Sequence, residues 1–209
     1  MSDWAKIEIA EFSILASEET RPSQLVGRII LERLPYAFDS KEQYFNWRDM
    51  LAEGLEVDAR DVIVVGSAAT GRSLNPRSRF GVFNKRSDVD IAVISQTHFD
   101  RAWQWLRQAD PIILGFNDDQ RRLLDRHRAD YVFNGMIAAN VFLSFMPFGS
   151  AWNRELQRSE RYLPQLLQGR MLSTRIYRDS EALRRAQLRS LITYQTYLRS
   201  KAENAPEGA

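Results

Sequence analysis

Cysteine is absent from this sequence, so no disulfide and no thiolate chemistry is open to it. Histidine occurs only as His98 and His127, too few for a zinc site built from His and Cys ligands. Any metal would have to be held by carboxylates. Lysine is scarce as well, standing only at Lys6, Lys41, Lys85 and Lys201, so nearly all the positive charge is arginine, whose planar fork suits two-pronged contact with phosphate. The formal net charge is only +2, so position rather than number decides what those arginines do. Long apolar runs are missing: none approaches the length that crosses a bilayer, and no membrane partner is expected. Residues 1–20 scatter Asp3, Glu8, Glu11 and Glu18 among their apolar positions, unlike the basic-then-apolar order of a secretory leader, and a cytoplasmic location is expected.

What is present fits a soluble globular chain, with 44% hydrophobic and 27% charged residues. A length of 209 residues suffices for one sizeable α/β unit. The expected organisation is a single domain over residues 1–201. It has an α/β (α+β) core at about 58–180, a mixed sheet flanked by helices, helical additions on either side, and a disordered tail at 202–209.

The chain is organised around residues 62–95, VIVVGSAATGRSLNPRSRFGVFNKRSDVDIAVIS. A β-branched run ends in Gly66-Ser67, a basic loop follows, and a second apolar run opens with Asp88 and Asp90. Side chains two apart on a strand share a face, so the two aspartates project together while Val89 and Ile91 face the other way. Paired carboxylates repel unless a cation lies between them, and hard cations such as Mg²⁺ are held by one or two carboxylates together with phosphate oxygens. A glycine at the mouth of a strand lets backbone come close to a phosphate chain, and the N–H groups of a helix starting near Ser67 favour an anion. There is no GxxxxGK[ST] and no GxGxxG opening a helix, which removes the P-loop and Rossmann readings.

Val65-Gly66-Ser67 followed by Asp88-Val89-Asp90 resembles the signature of the nucleotidyltransferase superfamily typified by DNA polymerase beta, and Thr70-Gly71 with Ser87 resembles its bacterial branch carrying GSxxTG and SDxD. The resemblance covers the central third of the chain well, and the segment between Ser67 and Asp88 is longer than in minimal members. It implies Mg²⁺ (or Mn²⁺) on Asp88 and Asp90, and a nucleoside triphosphate seated by Gly66, Ser67, Thr70, Arg72 and Ser87. Transfer of a nucleoside monophosphate to a hydroxyl of RNA, protein or a small molecule would follow. Bacterial relatives of this size also serve in toxin–antitoxin or antiphage systems. A fully equipped member carries a third carboxylate on a neighbouring strand. The candidates are Asp179, closing the strand-like TRIYRD, and Asp130, which looks helical, while Asn140 stands where an acid is expected. Asp179 reads equally as a carboxylate at the positive end of the last helix. Two further readings remain open: a nucleotide- or RNA-binding regulatory module without catalysis, and a cyclic or linear oligonucleotide synthase.

Elsewhere, residues 4–15 fit strand and helix spacing alike. Helices are expected from Pro22 to the residue before Pro35, and from Ser40, with Gln43 completing a capping box, to Gly54. The cluster Tyr44, Phe45 and Trp47 is assigned to the core. Strands are expected at 62–65, 88–95 and 171–177. Short or longer helices are expected at 68–74, from Phe99 to Pro111, from Asn117 to Tyr131, at 151–167, and from Ser180 onward, while residues 142–146 read as a strand or the end of a buried helix. The loop 72–86 carries Arg72, Arg77, Arg79, Lys85 and Arg86 without one carboxylate. It reads either as a phosphate-contacting loop with Phe80 or Phe83 stacked on a base, or as a surface loop anchored by those phenylalanines. His127, set among charged residues, is expected at the surface.

Overall fold

Branched apolar runs form the first two strands of the structure, a computed structural model that describes residues 6–204. Strands β1 (Val62–Val65), β2 (Val89–Ile94), β3 (Met136–Ala138) and β4 (Leu172–Tyr177) make one sheet in the order β1-β2-β4-β3. β1 is antiparallel to β2, β2 parallel to β4, and β3 antiparallel to β4. The result is the expected mixed sheet flanked by helices. These are α1 (Ile9–Glu18), α2 (Pro22–Leu25), α3 (Lys41–Leu55), α4 (Ser67–Thr70), α5 (Gln96–Gln108), α6 (Asp118–Arg126), α7 (Gly149–Glu160) and α8 (Ser180–Glu203). α2 and α6 each run on into a wider π-helical stretch, Val26–Leu31 and His127–Tyr131. Among the described residues no helix is long and apolar enough to cross a membrane.

Alternation along the strands assigns the two faces. Val62, Val64, Val89, Ile91, Val93, Leu172 and Ile176 turn to one side and enter the main core with Trp47, Leu51 and Leu55 of α3, Phe99 and Leu106 of α5, and Trp152 and Leu156 of α7. Val65, Ala92 and Tyr177 turn to the other side and pack under Ala182 and Leu183 at the start of α8. α8 is about 36 Å long at helical rise, and its later turns carry Leu191 and Tyr194 into a third cluster with Phe12 of α1 and Val26. The N- and C-terminal helical additions therefore pack on each other.

Local chemistry explains most helix ends. Ser40 Oγ accepts from Gln43 N–H at 3.1 Å, while the Gln43 side chain turns back to Asp39 rather than Ser40. Asn117 and Gln120 form the full reciprocal box at the start of α6. α3 passes through Gly54 and stops at Glu56, which is left-handed. α7 ends at Glu160, short of the expected 167, with Pro164 close behind. Residues 143–145 make a 3₁₀ turn, and α1 resolves the ambiguous N-terminal stretch, of which Trp4 lies outside the described residues. Ala202 and Glu203 are still helical, which corrects the expected tail at its first two residues; residues 205–209 lie outside the described residues.

Candidate functional site

The antiparallel register sets Val65 opposite Asp90, so the turn after β1 meets the opening of β2. Gly66 follows with φ 66° and ψ −149°, a combination that glycine alone adopts readily. A Cβ there would stand 2.6 Å from Asp90 Oδ2. The two halves of the motif, 24 positions apart in sequence, thus come into contact through the missing side chain. Ser67 opens α4, but α4 is a single turn, so the expected helix-end charge is slight.

Asp88 is exposed just ahead of β2, and Asp90 is half-buried on the α8 side of the sheet. The neighbour across from Asp90 on β4 is Ser173, with Arg175 two residues on. Arg175 Nη1 lies 3.4 Å from Asp90 Oδ1, and Ser173 faces Asp90 from the neighbouring strand. Burial raises the Asp90 carboxyl above its ordinary value; Arg175 and Ser173 pull against that rise, and Asp88 adds to it. The Arg175 side chain is 36% exposed and that of Asp90 25%, so solvent screens the pair and a ligand can reach it. All of these residues line a cavity of about 1000 Å³ together with Gly66, Ser67 and the inner side of α8.

Not every expected site residue joins them. Ser87 lines the cavity, and its Oγ accepts from the Asn84 N–H at 3.0 Å, which shapes the approach to Asp88. Thr70 does not contact the cavity: it is fully buried, its hydroxyl donating to the carbonyl of Arg72 at 2.7 Å, so its place is inside the turn. Arg72 is also diverted, donating from Nη1 to the Phe80 carbonyl at 2.9 Å. Of the five cations of the basic loop only Arg86 lines the cavity, beside uncharged loop residues such as Ser73, Asn75 and Asn84. Phe80 stacks on Tyr197 at 4.3 Å, and Phe83 lies under the Arg170 guanidinium at 4.5 Å, so both phenylalanines anchor the loop rather than offer a face to a base. Arg170 also donates to the Ser87 carbonyl at 3.0 Å and braces the loop from the start of β4.

Asp179 is not brought to the pair. It follows the far end of β4, where its carboxylate accepts from Ala182 N–H at 2.8 Å and caps α8. Because β2 and β4 are parallel, the end of β4 lies at the opposite end of the sheet from Asp90. Asp130 does line the cavity, on its far wall, in the π-helical turn. Asn140 bonds to Ser173 and accepts from Thr174 N–H at 2.6 Å, so its amide is spent on β4 and it does not line the cavity. His127 proves fully buried: Nδ1 faces the Leu123 carbonyl at 2.8 Å, Nε2 accepts from Ala138 N–H at 3.1 Å, and burial lowers its pKa. Sequence reading missed Ser173, Arg175 and Arg189. Period-two alternation along residues 171–177 would have put the first two on one face, but nothing in the sequence names their neighbour strand.

Among the described residues no group of three or more His, Asp or Glu side chains could hold a metal by itself. Asp88 and Asp90 fit one hard cation, Mg²⁺ or Mn²⁺, shared with phosphate oxygens, and partial burial gives Asp90 a reason to favour a cation beside it. They do not fit a site with a third carboxylate, because Ser173 and Arg175 occupy the adjacent positions of β4. Comparison with protein-family models, with curated proteins and with solved structures finds no match in any of the three.

Proposed function

We propose that this chain is a metal-dependent nucleotidyltransferase that moves a nucleoside monophosphate from a triphosphate to a hydroxyl acceptor. The observation that carries this reading is the contact of Gly66 with Asp90 at the rim of a cavity large enough for a nucleotide. Gly66 leaves its backbone open to a phosphate oxygen, and Ser67 offers a hydroxyl and an N–H beside it. Asp88 and Asp90 would hold the cation, which supplies positive charge to the phosphate oxygens as the α-phosphorus is attacked. Arg175 and Arg86 add fixed cations to the same wall, so that binding and positioning carry most of the rate gain.

A second reading, a nucleotide-binding module without transfer, is favoured by one observation: an arginine, not a carboxylate, flanks Asp90 on β4. Incubation with Mg²⁺ or Mn²⁺ and each α-phosphate-labelled nucleoside triphosphate, with and without cellular RNA and protein, separates the two. The double variant Asp88→Asn, Asp90→Asn runs beside it. Label transferred only by the unmutated protein supports the enzyme, and product chromatography then tells an oligonucleotide synthase from a modifier of RNA or protein. Binding without transfer supports the module. Failure to bind any nucleotide sinks both.

A further inference from the structure

The cavity extends well beyond the motif residues. Its floor follows β4 from Ser173, opposite Asp90, through Arg175 to Tyr177, about 13 Å at the rise of a strand. Beyond Tyr177, Arg178 N–H bonds to the carbonyl of Gly135 at 2.9 Å, which fixes the 130–135 turn against that end of the floor. Three side chains of the far wall are linked: Arg189 Nη1 donates to Asn134 Oδ1 at 2.6 Å, and Asn134 Nδ2 donates to Asp130 Oδ1 at 2.8 Å. Asn134 spends both ends of its amide inside the wall. Asp130 keeps its second carboxylate oxygen, and Arg189 the rest of its fork; both line the cavity, and among the described residues no ion pair engages either.

The spacing decides what this wall can do. A strand length separates it from Asp90, so it is too distant to take a proton from a hydroxyl attacking beside the aspartate pair. That span is comparable with the reach of a nucleoside triphosphate from its terminal phosphates to its sugar. A carboxylate oxygen accepts from both hydroxyls of a vicinal diol, while a neighbouring guanidinium donates to one of their oxygens. We propose that Asp130, held by Asn134 and backed by Arg189, forms a ribose subsite that selects ribonucleoside over 2′-deoxyribonucleoside triphosphates. This rests on the nucleotide reading given above. Asn134 is the positioning residue, since its bonds hold the Asp130 carboxylate and Arg189 in fixed relation.

Equilibrium binding with Mg²⁺ of each of the four ribonucleoside triphosphates and its 2′-deoxy counterpart tests it, on the unmutated protein and on Asp130→Ala and Asn134→Ala. The unmutated protein is expected to prefer the ribose form by about tenfold or more, the scale of hydrogen bonds to a charged group. Asp130→Ala brings that ratio close to one, and Asn134→Ala gives a ratio in between. Residual binding of the 2′-deoxy nucleotide reports that each variant is folded. Equal affinity for the two sugars in the unmutated protein, or a preference that survives Asp130→Ala, overturns the ribose subsite and leaves the nucleotide reading standing. Absence of all nucleotide binding overturns both. Short oligoribonucleotides ending in a ribose diol or in 3′-deoxyribose are run as competitors. If dependence on Asp130 appears only with them, the diol belongs to an acceptor and the proposal falls.

Discussion

The two faces of the sheet are made from the same strands, residue by alternate residue, yet they serve opposite ends. On one face, Val89, Ile91 and Val93 of β2 and Leu172 and Ile176 of β4 are buried under α3, α5 and α7. On the other, Asp90, Ser173 and Arg175 replace apolar residues at the end that α8 leaves open, while Val65, Ala92 and Tyr177 are covered. The first face supplies the apolar burial that pins the register, since a slip by one residue would exchange the faces. The second can then carry a charged pair that packing alone would not favour. The stability of the one is what holds the chemistry of the other in place.

Four substitutions probe that division, in falling order of their effect on stability. Trp152→Ala, at a side chain 2% exposed in the main core, should cost about 3–5 kcal/mol in denaturant unfolding. Gly66→Ala asks a side chain to adopt a backbone conformation reserved for glycine and to displace Asp90. A loss of about 1–3 kcal/mol is expected, with nucleotide affinity falling below detection in the same preparation. Asp179→Ala removes the cap of α8 and should cost about 1 kcal/mol in the same melt. Because Asp179 does not line the cavity, nucleotide affinity should stay as it was; a loss of binding would return it to the list of ligands.

Asp90→Asn comes last in stability and near the top in function. Burial raises the folded-state pKa of Asp90, so its favourable contribution is complete below the ordinary value of 3.8 and is lost as pH rises through the raised one. Unfolding at a series of pH values should therefore show the unmutated protein losing ground to Asp90→Asn as pH climbs from about 4. At neutral pH the variant should be at least as stable. Its Mg²⁺-dependent nucleotide binding should nevertheless be gone. A variant that is markedly less stable at neutral pH would mean that Arg175 more than compensates for burial.

Much of the sheet was legible because β1 and β2 are apolar, branched runs and β4 carries a third, and Gly66 follows the first while Asp90 opens the second. The partnership of β2 with β4 was not. Their pairing joins Val89 to Leu172 across α5, α6 and α7, and no local pattern encodes which strand a parallel neighbour will be. Arg175 consequently had no neighbour that the sequence could name, and Asp179 looked close to a site from which strand direction removes it. β3, three residues long, is too short for alternation to register. His127 was misread for a related reason: charged neighbours imply a solvated face, but α6 widens into a π turn there, and the ring is turned inward to bond the edge strand. Thr70 and Arg72 lie inside a motif-like segment, yet the tightness of the turn after Gly66 spends their polar groups on backbone.

That long-range pairing has a consequence for how the protein comes to life. Contacts between distant segments form slowly, because chain entropy is lost before the contacts repay it. During synthesis Gly66, Asp88 and Asp90 emerge long before β4 does. Until Leu172–Tyr177 slides in beside β2, Asp90 has no cation next to it and the cavity has no floor. The surroundings of Asp90 are therefore complete only once β4 has joined β2 and α8 has packed over them.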